Sequence, residues 1–397
     1  MLTNIPIFAA LAVTAALMAW PRVWKSTLWR ATVTPLASII GSGFLILGPI
    51  LDHAYGKWAP AVMAGLCLAA WLFGWAIRFS MHALDEGHED GPTERSLEVA
   101  SSWALAFAYF ISVAYYLNLF GAFAVRIWSN DAPEAARIVT SAVLLLVLAV
   151  GWTRGFSALE RMEQASVSTK LAIIAALLAG LAAFFAGKAS QGALVLNEGM
   201  THGWAAVTLA FGLVVTVQGF ETSRYLGDRY DAPTRIRSMQ LAQVIAAVIY
   251  LAYIGMMAYL FPADTVPVKE TETIDMTARI SSVLPVLLIV AALSAQFSAA
   301  IADTGGSGGL VKELTGGRIA HRLTYAALVA AGLAMTWTLD VFAIVAYASR
   351  AFALYYALQA ALAGLRARAS GRPLHAVAFA AMALAGLAIT LFGTPVE

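Results

Sequence analysis

Gly41, Ser42 and Gly43 stand in the middle of the apolar run PLASIIGSGFLILGPIL, residues 35–51. Glycine inside a helix costs about 1 kcal/mol relative to alanine, so two in one greasy stretch need a reason. Small residues let a second helix approach closely. They also permit a kink. The third reading is an interrupted helix whose free N–H and C=O groups hold a solute. Backbone left unpaired at that depth is tolerated only where protein or a water-filled cavity covers it. A second candidate break lies in WAAVTLAFGLVVTVQGFETSRYLGDRYDAP, where the apolar pattern gives way at Thr216, Gln218, Gly219 and Glu221. The chemistry open to such a pair is recognition by main-chain dipoles rather than bond breaking.

Charged side chains inside apolar runs are the other chemical signal. A buried charge there costs several kcal/mol unless it is paired, neutralised or drawn out to the headgroups. Lys170 lies about one helical turn inside its run, so it either snorkels outward or turns to the interior. Arg350 lies well within another run and is expected to face the bundle interior or a wet vestibule, with Glu221 or Asp340 as partner. Asp303 either pairs with a loop arginine, gates an inner path or caps the following GGSGG turn. Ser294 and Ser298 share one helix face. They are packing hydroxyls bonded to the preceding turn or ligands for a cation. Glu160 and Glu163 beside Arg154 and Arg161 read as interfacial ion pairs. The stretch HALDEGHEDGPTERSLE carries His82 and His88 among acids and reads as a solvated charged loop rather than a metal site. The single cysteine, Cys67, sits in an apolar run, so neither a disulfide framework nor a cysteine metal site is expected.

The elements that must position these residues are membrane helices. Hydrophobic residues make up 60% of the 397 and charged ones 12%, with mean hydropathy +0.76. Soluble domains are about 45–50% apolar and about 25% charged. The apolar runs are roughly 18–25 residues, the length that crosses a bilayer, and the alternation of a barrel is absent. The net charge of +2 gives no argument for nucleic acid. Twelve spans are expected, near 5–20, 33–52, 59–80, 102–127, 137–156, 167–187, 203–224, 239–261, 280–304, 321–337, 340–365 and 374–393. Of the 25 lysines and arginines, 17 fall in one alternating set of loops, six in the other and two within spans. That bias makes the loop at 21–32 cytoplasmic and puts both termini outside. No loop is long enough for a separate soluble domain. The first span is short, with no small-x-small exit before Pro21, and reads as an accessory helix rather than a leader. The two candidate breaks lie five spans apart, so they are equivalent positions in an inverted repeat. Paired interruptions of this kind point to a transporter's binding site.

The residues at the breaks resemble a known family. SIIGSGFLILGP is similar to the first core helix of the amino acid–polyamine–organocation (APC) superfamily. VQGFETSRYLGDRYDAPTRIRS resembles its sixth core helix and following loop, with Gly219, Phe220, Glu221, Asp228, Pro233 and Arg237 in the matching places. ASVSTKLAIIAALLAG is similar to the fifth. The eighth core helix departs from the pattern, ending SAAIADTGGSGGLVKEL without the usual arginine. The resemblance implies an all-α polytopic protein with a LeuT-like five-plus-five inverted repeat and discontinuous first and sixth core helices. Its expected parts are an accessory region over 1–32, repeats over 33–187 and 188–365, and a further helix over 366–397.

On that scaffold Ile40, Gly41, Ser42 and Gly43 would offer N–H groups to a carboxylate. Val215, Thr216, Gln218 and Gly219 would offer carbonyls to an ammonium, and Phe220 would close the pocket or simply pack in the core. Lys170, Ser294, Ser298 and Glu221 become coupling candidates. If Lys170 turns inward, its ammonium takes the place of sodium against backbone near residues 38–40 and the hydroxyls of Ser294 and Ser298. Proton-coupled or sodium-independent transport then follows. The expected function is secondary transport of an amino acid or related amine by alternating access, in the plasma or inner membrane. An ion-coupled carrier of another solute, or a membrane sensor that binds without translocating, are the alternatives. The expected partners are a small solute, protons or Na+ and the bilayer. No cofactor is expected, no G-x-x-x-x-G-K-[ST] motif encodes ATP drive, and six scattered histidines argue against an enzyme.

Overall fold

A computed structural model describes residues 4–41, 43–129, 132–153, 163–227, 229–262 and 269–396. Ser42, Arg154, Glu160, Arg161 and Asp228 lie outside the described residues, as does the Glu163 side chain. The described chain is helical apart from turns and a lone bridge pairing Gly56 with Glu198. In order come α1 (Asn4–Ala19), α2 (Pro21–Trp24), α3 (Thr27–Ile39), α4 (Gly43–Tyr55), α5 (Ala59–Asp85), α6 (Pro92–Val125) and α7 (Pro133–Thr153). Next are α8 (Glu163–Ser190) and α9 (Gly203–Gly212), followed by 3-10 turns at Val214–Val217 and Phe220–Tyr225. The chain continues with α10 (Ala232–Met257), α11 (Glu272–Ala278), α12 (Leu284–Leu314), α13 (His321–Thr338), α14 (Val341–Ala369) and α15 (Pro373–Phe392).

Among the described residues eight helices are long and apolar enough to cross a membrane, and α3 with α4 forms a ninth span bent by 44°. At the other three of the twelve expected positions stand helices that do not reach that length and apolarity. Helix α1 has 16 residues, α9 stops after ten, and α13 opens on His321 and Arg322. Exposed leucines, isoleucines and valines line the outer faces of α7, α10, α12 and α15. In water such faces would be a liability; against lipid tails they are the solvated side.

Helix α6 is the central rod, buried along most of its length, with α12, α14, α7 and α13 packed around it. Its 34 residues rise about 51 Å, more than a bilayer core. The extra turns project from the arginine-rich face and carry Glu94 and Glu98. A second group holds α5 and α10 together with α3, α4 and the 3-10 turns. Helix α1 lies on α8, where Gly180 admits Ile7, and α15 lies on α14.

Two expectations change here. Helix α12 does not stop at the GGSGG turn but runs through it to Leu314. Gly308 sits where a Cβ would strike the Tyr325 ring at 2.5 Å, so small residues serve close helix packing and offset their poor propensity. Asp303 is therefore a mid-helix residue and not a cap. The histidine-bearing loop is also not simply solvated. Asp90 accepts two hydrogen bonds from Arg366, from Nε at 2.9 Å and from the terminal nitrogen at 2.7 Å. Arg366 is completely buried. Its hydrogen bonds hold the Asp90 carboxyl below the usual carboxylate range.

Candidate functional site

Both expected interruptions are present, and they touch. Helix α3 ends at Ile39, with Ile40 leaving helical geometry at φ −85°, ψ 43°. Helix α4 restarts at Gly43. In the second span α9 ends at Gly212, and Gly219 between the two 3-10 turns takes φ 115°, a conformation that suits glycine. A Cβ on Gly43 would lie 2.5 Å from the Thr216 Cβ, and one on Gly219 would lie 2.6 Å from the Ser38 Cβ. Each glycine therefore lets one break press against the other.

Side chains absent from the sequence-based site satisfy the opened backbone. The Tyr250 hydroxyl on α10 lies 2.9 Å from the Ile39 carbonyl and 2.6 Å from the Thr216 carbonyl, so one donor bridges both breaks. Ser349 on α14 accepts from the Val215 N–H at 2.9 Å and donates to the Gly212 carbonyl at 2.7 Å. These are the orphan groups that a helix end leaves behind. Intramembrane tyrosines were the available signal: Tyr250, Tyr253 and the pairs Tyr115–Tyr116 and Tyr355–Tyr356 sit within spans, whereas tyrosine is enriched at the interfaces.

The expected substrate contacts are packed together rather than lining a hollow. Ile40, Val215, Thr216, Gln218 and Phe220 are all buried. Gln218 donates from Nε2 to the Tyr116 hydroxyl at 2.7 Å, and its Oε1 has no hydrogen-bond partner among the described residues. Phe220 stacks on Tyr356 with ring centroids 5.1 Å apart, the packing alternative for that residue. Tyr356 also stacks on Phe73 and gives its hydroxyl proton to Glu221 Oε2 at 2.8 Å. The same carboxylate oxygen accepts the Gly219 N–H at 2.9 Å, while Oε1 has no partner among the described residues.

Lys170 does not snorkel. It is buried, and its ammonium donates to the Ala37 carbonyl at 2.9 Å, one residue before the expected stretch. A cation at the C-terminal end of α3 is stabilised by the helix dipole as well as by that hydrogen bond. Ser294 pairs with Ser166 of α8 at 2.8 Å. Ser298 lines a cavity instead. Arg350 joins neither Glu221 nor Asp340. Its Nε donates to the Thr390 carbonyl at 2.7 Å near the end of α15, where cations are favoured.

That cavity, of about 790 Å³, lies on the arginine-rich side of the breaks. Thr34 of α3, Tyr109 of α6, Ser166 and Thr169 of α8, Thr222 and Tyr225 of the second 3-10 turn, and Ser294, Ser298 and Asp303 of α12 line it. Ala302 and Gly306 are exposed toward it although they lie mid-helix. On the opposite side residues 195–201 lie against the end of α4. Met200 and Thr201 donate to the His53 and Ala54 carbonyls, and Asn197 Nδ2 donates to Asp52 Oδ1 at 2.9 Å. On the arginine-rich side Arg224, at the end of the second break, pairs with Glu98 of α6 at 2.5 Å and bonds Gln359 of α14. The second break is thus anchored to the central rod, and the end of α4 is held by residues 195–201.

A curated relative from Aquifex aeolicus (strain VF5), described as an uncharacterized protein, is 36% identical over 410 residues, spanning 100% of this chain and 98% of its own length. A family profile described as APC superfamily transporter matches residues 21–393, through both breaks, the cavity and α15. The chain belongs to this family of APC superfamily transporters.

Proposed function

We propose that the chain is a secondary carrier for an amino acid or related small amine, working by alternating access on a LeuT-like inverted repeat. The observation that carries this reading is the meeting of two helix interruptions under one shared hydroxyl, Tyr250, above a cavity lined by both hydroxyl-bearing and apolar side chains. Spans broken at corresponding points place main-chain dipoles where a zwitterion can be held. The first repeat is residues 33–187 and the second 188–365, with α1 and α15 as additions. The positive-inside bias makes the cavity cytoplasmic, so the conformation described here is inward-facing, with the breaks closed on each other. Substrate must part Gly43 from Thr216 to bind. Its carboxylate then meets the N-terminus of α4, and its ammonium meets the carbonyls of 215–219.

Lys170 is the fixed cation that replaces a coupling sodium. Its bond to Ala37 and the engagement of Ser294 with Ser166 support this role. Uptake should be independent of sodium. The test is counterflow in proteoliposomes with labelled L-alanine, further amino acids and putrescine as probes, in sodium and in choline buffers. A carrier loaded on one side accumulates label from the other. No exchange with any probe would favour the sensor alternative, and exchange only in sodium would refute the role of Lys170.

A further inference from the structure

Asp303 is unused by the arrangement above, yet it is the most unusual group in the cavity wall. It is 3% exposed, lies mid-way along α12, and no lysine, arginine or histidine among the described residues forms an ion pair with it. Its Oδ2 is hydrogen-bonded to the Ser112 hydroxyl of α6. That hydroxyl also lies 3.2 Å from the Tyr109 carbonyl, and it has only one proton to give. When Asp303 is ionised, Ser112 donates to the carboxylate. When Asp303 is protonated, the acid donates to Ser112 Oγ and the serine proton turns to the Tyr109 carbonyl. Oδ2 and the Ser112 hydroxyl thus stay hydrogen-bonded to each other in both protonation states with only hydrogens moving, which lowers the cost of burying either form.

We propose that Asp303 is the group that takes a proton from the cytoplasmic cavity and returns it during transport. The step is a simple transfer: a hydronium ion in the cavity gives a proton to the Asp303 carboxylate and leaves as water, and the reverse step restores the carboxylate. The proposal rests on the carrier reading but assigns the mobile proton to a residue that reading leaves idle. The groups facing Asp303 are consistent with this. Helix α6 presents Tyr109 and Tyr116, and the second 3-10 turn presents Glu221 and Tyr225. Helix α8 contributes Lys170, already engaged on Ala37, and Arg229 stands in the cavity lining. Helix α13 places His321 and Tyr325 against Gly308, more than a turn further along α12. Glu221 is the rival site. It is completely buried and not part of the cavity lining, so it has no comparable route to water.

Infrared difference spectra of the full chain in nanodiscs, recorded through a pH titration, test this without a substrate. Acidification should bring up a carboxylic C=O band that Asp303→Asn removes and Glu221→Gln keeps. The reverse pattern, or a band untouched by either change, overturns the proposal. If Asp303→Asn does not fold, Ser112→Ala decides: loss of the hydroxyl should move the band to higher frequency, and an unmoved band overturns the assignment. In proteoliposomes with trapped pyranine and L-alanine as probe, the protons moved per alanine should collapse in Asp303→Asn, and an unchanged ratio also overturns it. Absence of alanine exchange in the unmodified protein would count against the carrier reading, while the infrared result would still decide whether Asp303 titrates.

Discussion

Replacing Tyr250 with phenylalanine is the sharpest probe of the joined breaks. The ring keeps its place, including its edge contact with Phe44 at 5.6 Å between centroids. Only the oxygen goes, and with it the single donor serving two carbonyls. Tyr250 is completely buried. Leaving a buried acceptor unsatisfied costs about 1–3 kcal/mol, and one proton shared by two acceptors sets the loss at one such bond. Local opening at residues 36–45 and 213–220 becomes easier by that amount. Where exchange follows the opening equilibrium, amide hydrogens there should exchange about 5- to 150-fold faster. Hydrogen–deuterium exchange read by mass spectrometry on peptides over both breaks gives the number. Peptides in α7, remote from Tyr250, are the internal reference. Rates within about twofold of the parent at both breaks would mean less than about 0.5 kcal/mol was lost, and the bridging role would be wrong. Acceleration at only one break would show that the hydroxyl serves one carbonyl rather than joining two spans.

Three further outcomes follow from the same geometry. Gly219→Ala introduces a side chain at φ 115° and a Cβ 2.6 Å from that of Ser38, which should cost about 2–5 kcal/mol and lower the melting temperature in detergent; an unchanged melt refutes the close approach. Lys170→Ala uncaps the end of α3 and should collapse L-alanine uptake at every pH, whereas wild-type uptake would remove the lysine from the mechanism. Asp90 has its carboxyl pKa depressed from 3.8 by Arg366, so its stabilising effect is present above pH 3.8 and fades as pH falls through the lower folded value. Asp90→Asn should abolish that acid-dependent part of the melting curve, and curves of the same shape for both proteins would show the pair contributes nothing.

The positions of both breaks could be read from Gly41, Gly43 and Gly219, because a buried helix carries glycine against its own propensity only for a reason. What the breaks do in this conformation could not be read there. The expectation of a hollow came from the breaks alone, but their state is set by Tyr250 and Ser349, which approach from α10 and α14. Such partners are far away in sequence and announce themselves only as polar residues in apolar runs. Lys170 was legible as a buried charge, and its acceptor was placed within one residue. Arg350 was legible as a charge in need of a partner, but neither carboxylate supplies it, because a carbonyl at the end of a helix can balance a guanidinium as well. Of the three readings open for Asp303, only the cap fails, for the opposite reason. GGSGG looks like a turn by local rule, yet the helix continues through it where Gly308 and Gly306 pack against Tyr325 and Tyr109.

The C-terminal residues bear on how this protein can be handled. The Thr394 N–H donates to the Thr208 carbonyl at 3.0 Å, and the Thr394 carbonyl sits directly against Gly212, the residue at which α9 ends. An affinity tag or fluorescent fusion joined after residue 396 would hang from the hinge of the second broken span. It would load that hinge during purification and bias any measured rate, so labels belong on α1, which is remote from the hinge.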